Sequence, residues 1–249
     1  MIEFNDVYKA FNSKKVLSGF DLTVEKGETF VIIGQSGIGK TVALRHIAGL
    51  IEPDSGDVVI DGVKMNGAPA EVKRRLRERM GVLFQSGALL NWMSVEENIA
   101  LPLVEHRRYP KKQIEEVVRD KLSLLQLTDA RQKTISEISG GMKKRVALAR
   151  LLVLNPEILL WDEPTTGLDP VMSMVINDLI RRMQREFNVT SLVVTHDMKS
   201  ALYVGDRVGM LYGGRLVETG TPEEIRNTAN PIVFQFINGE LDGPIKARE

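Results

Sequence analysis

The stretch GQSGIGKT, residues 34–41, has the residue types and spacing that hold a phosphate group. It fits the pattern G-x-x-x-x-G-K-[ST] and lies between an apolar strand pattern and a helical pattern, the context that this motif requires. Glycines let the backbone wrap around an anion, and the following helix N-terminus adds partial positive charge. A glycine-rich turn that matches by chance is the alternative. The expected nucleotide-binding residues are Gly34, Gln35, Ser36, Gly37, Ile38, Gly39, Lys40, Thr41 and Val42.

Within this loop, Lys40 is expected to contact the β- and γ-phosphates, and the Thr41 hydroxyl to bind Mg²⁺. The stretch ILLWDEP supplies acidic groups for the same chemistry. Its apolar residues predict a buried strand, so Asp162 emerges at the carboxyl end, where parallel sheets bind ligands. We expect Asp162 to hold Mg²⁺ through water, and Glu163 to accept a proton from an attacking water. An acidic turn before Pro164 is the alternative.

The stretch ISGGMKKRVALAR opens a predicted helix with Ser139, Gly140 and Gly141. A hydroxyl and bare N–H groups at a helix start form a second anion site. One nucleotide rarely needs two phosphate cradles, so we expect a dimer in which each nucleotide contacts one cradle from each subunit. His196 follows another buried strand in VVTHD. A lone histidine is often structural, but a strand beside that of Asp162 would bring His196 to the γ-phosphate.

The elements that must position these residues alternate between strand and helix patterns, which indicates an α/β fold with a parallel sheet. Strands are predicted in 16–24, 28–34, 55–62, 81–85, 157–164 and 190–197, with a late hairpin in 208–220. Helices are predicted in 40–51, 69–79 and 174–187, and residues 94–155 are predicted to be all helical. In that segment Ser94 and Glu97 form a capping box, and Pro110 opens a helix with an apolar stripe. The stripe is Ile114, Val117, Val118, Leu122 and Leu125.

Composition excludes several classes of protein. Lys plus Arg and Asp plus Glu are both 33, so the formal net charge is zero, and we expect no nucleic-acid partner. The basic run at 73–79 is interpreted as a solvated helix face. The absence of cysteine excludes disulfides and thiolate metal sites. The N-terminus lacks a signal-peptide pattern, and no stretch reaches the roughly 18 apolar residues of a spanning helix. We expect a soluble chain.

These motifs, GQSGIGKT, Gln85, ISGG, ILLWDEP, GLDP and His196, resemble in order and spacing those of the ATP-binding cassette (ABC) family of transport ATPases. The resemblance covers essentially the whole chain. It implies a P-loop NTPase fold: a RecA-like core with an antiparallel β subdomain and an inserted α-helical subdomain. Residues 1–249 would form one nucleotide-binding domain, with the core in 1–85 and 156–249 and the helical subdomain in about 86–155.

The same resemblance implies a head-to-tail dimer with ATP and Mg²⁺ sandwiched between subunits, and an ATPase coupled to transmembrane transport. Phe11 resembles the aromatic residue that stacks on adenine. Gln85 resembles the catalytic glutamine that senses Mg²⁺ and the γ-phosphate, and Asp169 resembles the aspartate that crosses the dimer interface. One departure is Met142, which stands where the family signature has Gln and cannot donate a hydrogen bond.

A narrower resemblance of FQSGALLNWMSVEENIALPL and FINGELDGPI is to ATPases of the Mla/Mce-type lipid transporters. It implies a peripheral subunit on the cytoplasmic face of the inner membrane, a separate permease, an Mce-domain lipid-binding protein and, in some systems, a STAS-domain regulator. The permease contact would fall on Leu89, Leu90, Trp92 and Met93, with plain packing between subdomains as the alternative. Two functions compete with lipid transport. One is transport of another cargo: an amino acid, a metal or a lipoprotein. The other is that of an ABC ATPase acting on nucleic acid or ribosomes.

Overall fold

The computed structural model describes residues 1–84, 87–106 and 109–246, and for His106 only the backbone. Its strands are β1 (Ile2–Phe11), β2 (Lys14–Val24), β3 (Thr29–Ile33), β4 (Ser55–Ile60), β5 (Val63–Lys64), β6 (Met80–Leu83), β7 (Ile158–Asp162), β8 (Thr190–Thr195), β9 (Arg207–Tyr212) and β10 (Arg215–Gly220). Its helices are α1 (Lys40–Ile47), α2 (Ala70–Glu78), α3 (Val95–His106), α4 (Lys111–Leu124), α5 (Gly140–Leu152), α6 (Pro170–Phe187), α7 (Met198–Val204), α8 (Pro222–Arg226) and α9 (Pro231–Asn238). Short 3₁₀ turns at Thr128–Ala130 and Ile135–Glu137 connect α4 to α5.

The central sheet has the order β10-β9-β3-β8-β7-β6 and is parallel except for the β9–β10 hairpin. Every residue of β3, β7 and β8 is buried, as expected for parallel strands that are covered on both faces. Alternate side chains supply different cores. Phe30 and Ile32 belong to a first apolar cluster on one face of the sheet. Val31 and Ile33 belong to a second apolar cluster on the opposite face. The predicted parallel α/β sheet is therefore confirmed.

A separate antiparallel sheet has the order β2-β1-β4-β5. It packs against α1 and against the face of the central sheet that carries the first apolar cluster. Phe4 and Phe20 make an edge-to-face contact in its core, with ring centroids 5.1 Å apart. Strand β2 lies beside the loop between β3 and α1, because a Cβ atom on Gly39 would be 2.5 Å from Val16 Cγ1. It also contacts the β9–β10 turn, where Ser18 N donates to Gly214 O over 2.9 Å.

Helices α3, α4 and α5 pack on one another around the second apolar cluster. The predicted capping box is present: Ser94 N donates to Glu97 Oε2 over 2.7 Å, and Glu97 N donates to Ser94 Oγ over 3.2 Å. Pro110 is the residue just before α4, and the predicted stripe faces inward, with Val118, Leu122 and Leu125 buried and Ile114 and Val117 half-buried.

Two predicted helix boundaries are wrong. The helix predicted over 174–187 begins four residues earlier, at Pro170, because Asp169 caps it by accepting hydrogen bonds from Val171 N and Met172 N. The other is the end of α1. The pattern placed residues 40–51 in a helix with Leu50 on its apolar face, but α1 ends at Ile47 and the Leu50 side chain is 55% exposed. The reason is Gly49, whose φ of 63° reverses the chain. Gly49 N then donates to His46 O over 3.0 Å, and Leu50 N to Arg45 O over 2.9 Å, so the last helical carbonyls are satisfied by a glycine cap.

The C-terminal segment packs on the core. Phe236 and Ile237 of α9 are half-buried against the second cluster, whereas Phe234 is exposed. Gln235 is buried and holds the backbone of Ile245: Ile245 N donates to Gln235 Oε1 over 2.7 Å, and Gln235 Nε2 donates to Ile245 O over 3.1 Å. Within the part of the chain that the structure describes, no helix is long and apolar enough to cross a membrane.

Candidate active site

The loop between β3 and α1 wraps tightly because glycines occupy its sharpest positions. Gly34 has a φ of 146° and Gly39 a φ of 118°. A Cβ atom on Gly34 would lie 2.6 Å from Ile38 Cδ1 and 2.7 Å from Leu211 O, and one on Gly39 would lie 2.5 Å from Val16 Cγ1. These contacts forbid any side chain, so residues 34–39 can form a cradle only with glycine at both places.

Lys40 opens α1 and is 5% exposed. Its Nζ donates to Gly34 O over 2.7 Å and to Gln35 O over 3.0 Å. These hydrogen bonds hold the ammonium group against the loop between β3 and α1. Glu163 Oε1 lies 3.6 Å from the same Nζ. Burial lowers the pKa of Lys40 below its usual range, and the charge of Glu163 opposes part of that shift.

Thr41 and Asp162 meet although 121 residues separate them in the chain. Thr41 Oγ1 donates to Asp162 Oδ1 over 2.9 Å, because α1 starts opposite the carboxyl end of β7. Burial raises the pKa of Asp162, and the hydrogen bond from Thr41 opposes that rise. The hydroxyl and carboxylate are hard oxygen ligands of the kind that Mg²⁺ prefers.

This donor set fits a magnesium ion that is held mainly by substrate phosphates. Mg²⁺ in phosphate-transfer sites is bound by one or two protein oxygens together with phosphate and water. Among the described residues, no group of three or more His, Cys, Asp and Glu side chains could hold a metal by itself. The pairing of Thr41 with Asp162 therefore matches a metal that arrives with its nucleotide.

Glu163 follows β7 with a φ of 51°, a left-handed conformation that a non-glycine residue seldom adopts. Its Oε2 accepts hydrogen bonds from Thr166 Oγ1 and Thr195 Oγ1, each over 3.2 Å, and lies 2.9 Å from His196 Nδ1. Burial alone would raise the pKa of Glu163, but the hydrogen bond from His196 and the charge of Lys40 outweigh it and lower that pKa. The carboxylate is therefore unprotonated near neutral pH and can accept a proton.

These groups line a cavity of about 270 Å³ that contains two basic side chains and one carboxylate. Its lining residues are Val16, Ser36, Gly37, Gly39, Lys40, Thr41, Val42, Glu163 and His196. Adjacent strands β7 and β8 bring Glu163 and His196 together, as the sequence predicted for these two strands. Val16 was missed, because it lies in β2 and no motif marks it. Phe11 lies apart from this lining, at the end of β1. It is 42% exposed, and its ring centroid is 5.5 Å from Lys9 Nζ.

The second predicted cradle forms a different surface. Ser139 caps α5 by accepting a hydrogen bond from Met142 N over 3.3 Å, and a Cβ atom on Gly140 would meet nothing within 4 Å. Gly141 adjoins Met172, and Asp169 caps α6 at the same surface by accepting from Met172 N over 3.0 Å. Ser139, Gly140, Gly141 and Asp169 do not line the cavity around Lys40. Gln85 lies outside the described residues.

Comparison with known proteins assigns the family. The protein-family model described as ABC transporter matches residues 17–166, more than half of the chain. The "Probable ribonucleotide transport ATP-binding protein mkl" of Mycobacterium tuberculosis is 41% identical over 248 residues, which is 100% of this chain and 69% of that protein. The chain belongs to the ABC transporter ATPase family.

Two further similarities describe this ABC ATPase more closely. The "Intermembrane phospholipid transport system ATP-binding protein MlaF" of Escherichia coli strain K12 is 38% identical over 251 residues, covering 100% of this chain and 92% of MlaF. A dimeric ATP-binding cassette, solved in a post-hydrolysis state with ADP and Pi, superposes with a TM-score of 0.82 at 30% identity. That match covers 89% of this chain and 99% of the other. The predicted family, P-loop fold and ATPase activity are confirmed, and the chain binds ATP.

Proposed function

We propose that this ABC ATPase is the motor subunit of a transporter that moves phospholipids between membranes through a separate permease. The observation that carries the proposal is the similarity to MlaF, which extends over the whole of this chain and 92% of that relative. Most of the length of the two proteins corresponds, so the similarity includes the surfaces outside the ATP-binding motifs.

In the proposed reaction, Glu163 takes a proton from the water that attacks the γ-phosphate of ATP. Thr166, Thr195 and His196 hydrogen-bond to its carboxylate and orient it. His196 would also contact the γ-phosphate. Lys40 neutralises the β- and γ-phosphates. Thr41, Asp162 and, from its sequence position, Gln85 would hold Mg²⁺, which supplies positive charge to the phosphate oxygens.

The nucleotide-binding site is completed by a second copy of the chain in a head-to-tail dimer. Ser139, Gly140 and Gly141 lie away from the Lys40 cavity but present an open helix N-terminus, which suits an anion supplied by another subunit. Asp169 lies beside them and would cross the same interface, while Phe11 would stack on adenine. The similar cassette that was solved as a dimer with ADP and Pi supports this arrangement.

ATP binding drives a conformational change of the proposed dimer, which is passed to the permease. Each γ-phosphate adds contacts to both cradles and closes the dimer, and hydrolysis removes those contacts. We place the protein on the cytoplasmic face of the inner membrane, with the permease against Leu89, Leu90, Trp92 and Met93. Trp92 is 79% exposed, while the other three are half-buried, so the surface offers an apolar group to a partner. An Mce-domain protein and a STAS-domain regulator complete the proposed assembly.

Reconstitution tests the cargo. The complex isolated with this chain from its own membranes is placed in vesicles that contain a fluorescent phospholipid and a radiolabelled ribonucleotide. We expect ATP-dependent transfer of the phospholipid, and its loss in the Lys40→Ala variant. Ribonucleotide movement without phospholipid movement would refute the lipid assignment and favour the cargo in the name of the mycobacterial relative. Equal phospholipid transfer with and without ATP would refute the motor role.

A further inference from the structure

The turn at residues 87–88 lies directly on helix α5. Gly87 is buried with a φ of 71°, and Ala88 has a φ of 47°. A Cβ atom on Gly87 would lie 3.1 Å from the Cβ of Ala147 in α5, so the backbone of the turn approaches the helix as closely as a side chain allows. The turn and the helix are thus in direct packing contact although about 60 residues separate them in the chain.

Arg150 of α5 fastens this turn with two hydrogen bonds. Its Nη1 donates to Ala88 O over 2.9 Å and its Nη2 donates to Gly87 O over 2.7 Å. Two neighbouring carbonyl groups therefore receive the two arms of one planar guanidinium, a geometry that a lysine ammonium cannot reproduce. The side chain is half-buried, and burial lowers the pKa of Arg150 from its usual value.

The rest of the segment is held by α3. The Asn98 side chain is fully buried, with Oδ1 accepting from Leu90 N over 2.9 Å and Nδ2 donating to Leu90 O and Ser94 O, each over 3.0 Å. Because α3 packs on α5, both ends of residues 87–94 are tied to the same group of helices. A displacement of those helices must carry the segment with it while both attachments hold.

We propose that Arg150 is a positioning residue that couples the Ser139 end of α5 to segment 87–93, so that ATP-driven dimer closure displaces the apolar surface around Trp92. The coupling rests on the proposed dimer and permease contact. Ser139 caps the first turn of α5 and Arg150 lies in its last turn, about 16 Å further along at 1.5 Å per residue. A stiff helix transmits a shift over that distance, and the guanidinium passes it to the turn.

The chain carries its own optical probe for this movement. Of its two tryptophans, Trp161 is fully buried and Trp92 is 79% exposed. Collisional quenching of tryptophan fluorescence by acrylamide therefore reports on Trp92. In the Glu163→Gln protein, which we expect to bind ATP and hydrolyse it very slowly, Mg²⁺–ATP should change the acrylamide quenching constant. The same change should be absent in the Glu163→Gln/Arg150→Lys protein, while its affinity for ATP, measured by calorimetry, stays the same.

Arg77 provides the matched control. Its Nε donates to Ala48 O over 3.1 Å and its Nη2 to Gly49 O over 2.9 Å, so it also spans two neighbouring carbonyl groups, but at the end of α1 and not on segment 87–93. In Arg150→Lys, the loss of one charge-assisted hydrogen bond shifts the equilibrium between the attached and the detached 87–88 turn by about tenfold or more. Arg77→Lys should have a comparable cost in thermal stability and keep the ATP-linked change at Trp92.

The outcomes separate this inference from the proposed function. If the Glu163→Gln parent binds ATP and dimerises without any change at Trp92, or if Arg150→Lys keeps the change, the coupling role of Arg150 is overturned. Loss of the change in Arg77→Lys as well would also overturn it. Failure of the parent to dimerise with ATP would instead overturn the proposed head-to-tail mechanism.

A second measurement does not depend on the folding of any Arg150 variant. Hydrogen exchange of the Glu163→Gln protein should show that ATP protects the amides of 139–145 and alters those of 87–93 together. Protection of 139–145 with unchanged exchange in 87–93 contradicts the coupling.

Discussion

Glu163→Gln removes the proposed proton acceptor while leaving most of its contacts in place. Glutamine has nearly the same shape as glutamate, and its carbonyl oxygen can replace Oε2, which accepts from Thr166 and Thr195 and lies 2.9 Å from His196 Nδ1. The amide NH₂ group then takes the place of Oε1, 3.6 Å from Lys40 Nζ. Lys40 keeps its bonds to the carbonyl groups of the loop, and the negative phosphates of ATP replace the lost carboxylate charge.

The expected result is a large loss of turnover with little loss of binding. General-base catalysis contributes about 10²- to 10⁴-fold in rate. At about 1.36 kcal/mol for each tenfold, the activation barrier rises by about 2.7 to 5.4 kcal/mol. ATP affinity is expected to stay equal or to increase, because a carboxylate that repels the γ-phosphate has gone. The bound nucleotide should then trap the dimer.

Three measurements check this reasoning: phosphate release for kcat, calorimetry for ATP affinity, and size-exclusion chromatography with ATP for the dimer. Thr166→Val is the control, since it removes one hydrogen bond to Glu163 and leaves the proton acceptor. Such a bond contributes about 1 kcal/mol, so the rate should fall less than tenfold. A wild-type kcat in Glu163→Gln, or an equal loss in Thr166→Val, would refute the role of Glu163 as the base.

Four more predictions concern the same surfaces. The difference in unfolding free energy between wild type and Glu163→Gln should be constant above pH 4.5, the ordinary pKa of glutamate, and shrink below it as pH falls through the lowered folded-state pKa, measured by urea titration. Thr41→Ala should weaken nucleotide binding with Mg²⁺ present and leave Mg²⁺-free binding unchanged in calorimetry; equal weakening would argue against a metal role. Ser139→Ala should cost about 1 kcal/mol in stability as a lost helix cap, like Thr221→Ala at α8, yet reduce ATPase activity far more than that control. Leu90→Glu should abolish vesicle transport with ATP binding intact; a protein that fails to fold would instead favour a packing role.

Local sequence was sufficient for the parts of the site that one short segment forms. Residues 34–41 specify their own cradle, because glycine positions and a helix start are local properties of the chain. The same holds for the Ser94–Glu97 capping box and for the buried strand that ends at Asp162. One exception is Leu50, where helical periodicity continued past the glycine that ended the helix. Another is α6, which begins at Pro170, four residues before the predicted start.

Tertiary structure decided what these segments meet. Thr41 reaches Asp162 and Arg150 reaches Gly87 across 121 and 63 residues of chain. The sheet order β10-β9-β3-β8-β7-β6 places strands side by side that are far apart in sequence. Hydrophobic periodicity predicts which face of an element is buried but not which element covers it. No local pattern therefore predicts that Val16 lines the cavity or that Arg150 donates hydrogen bonds to the 87–88 turn. The sequence by itself determined the chemistry, and long-range packing determined how that chemistry is connected to the rest of the protein.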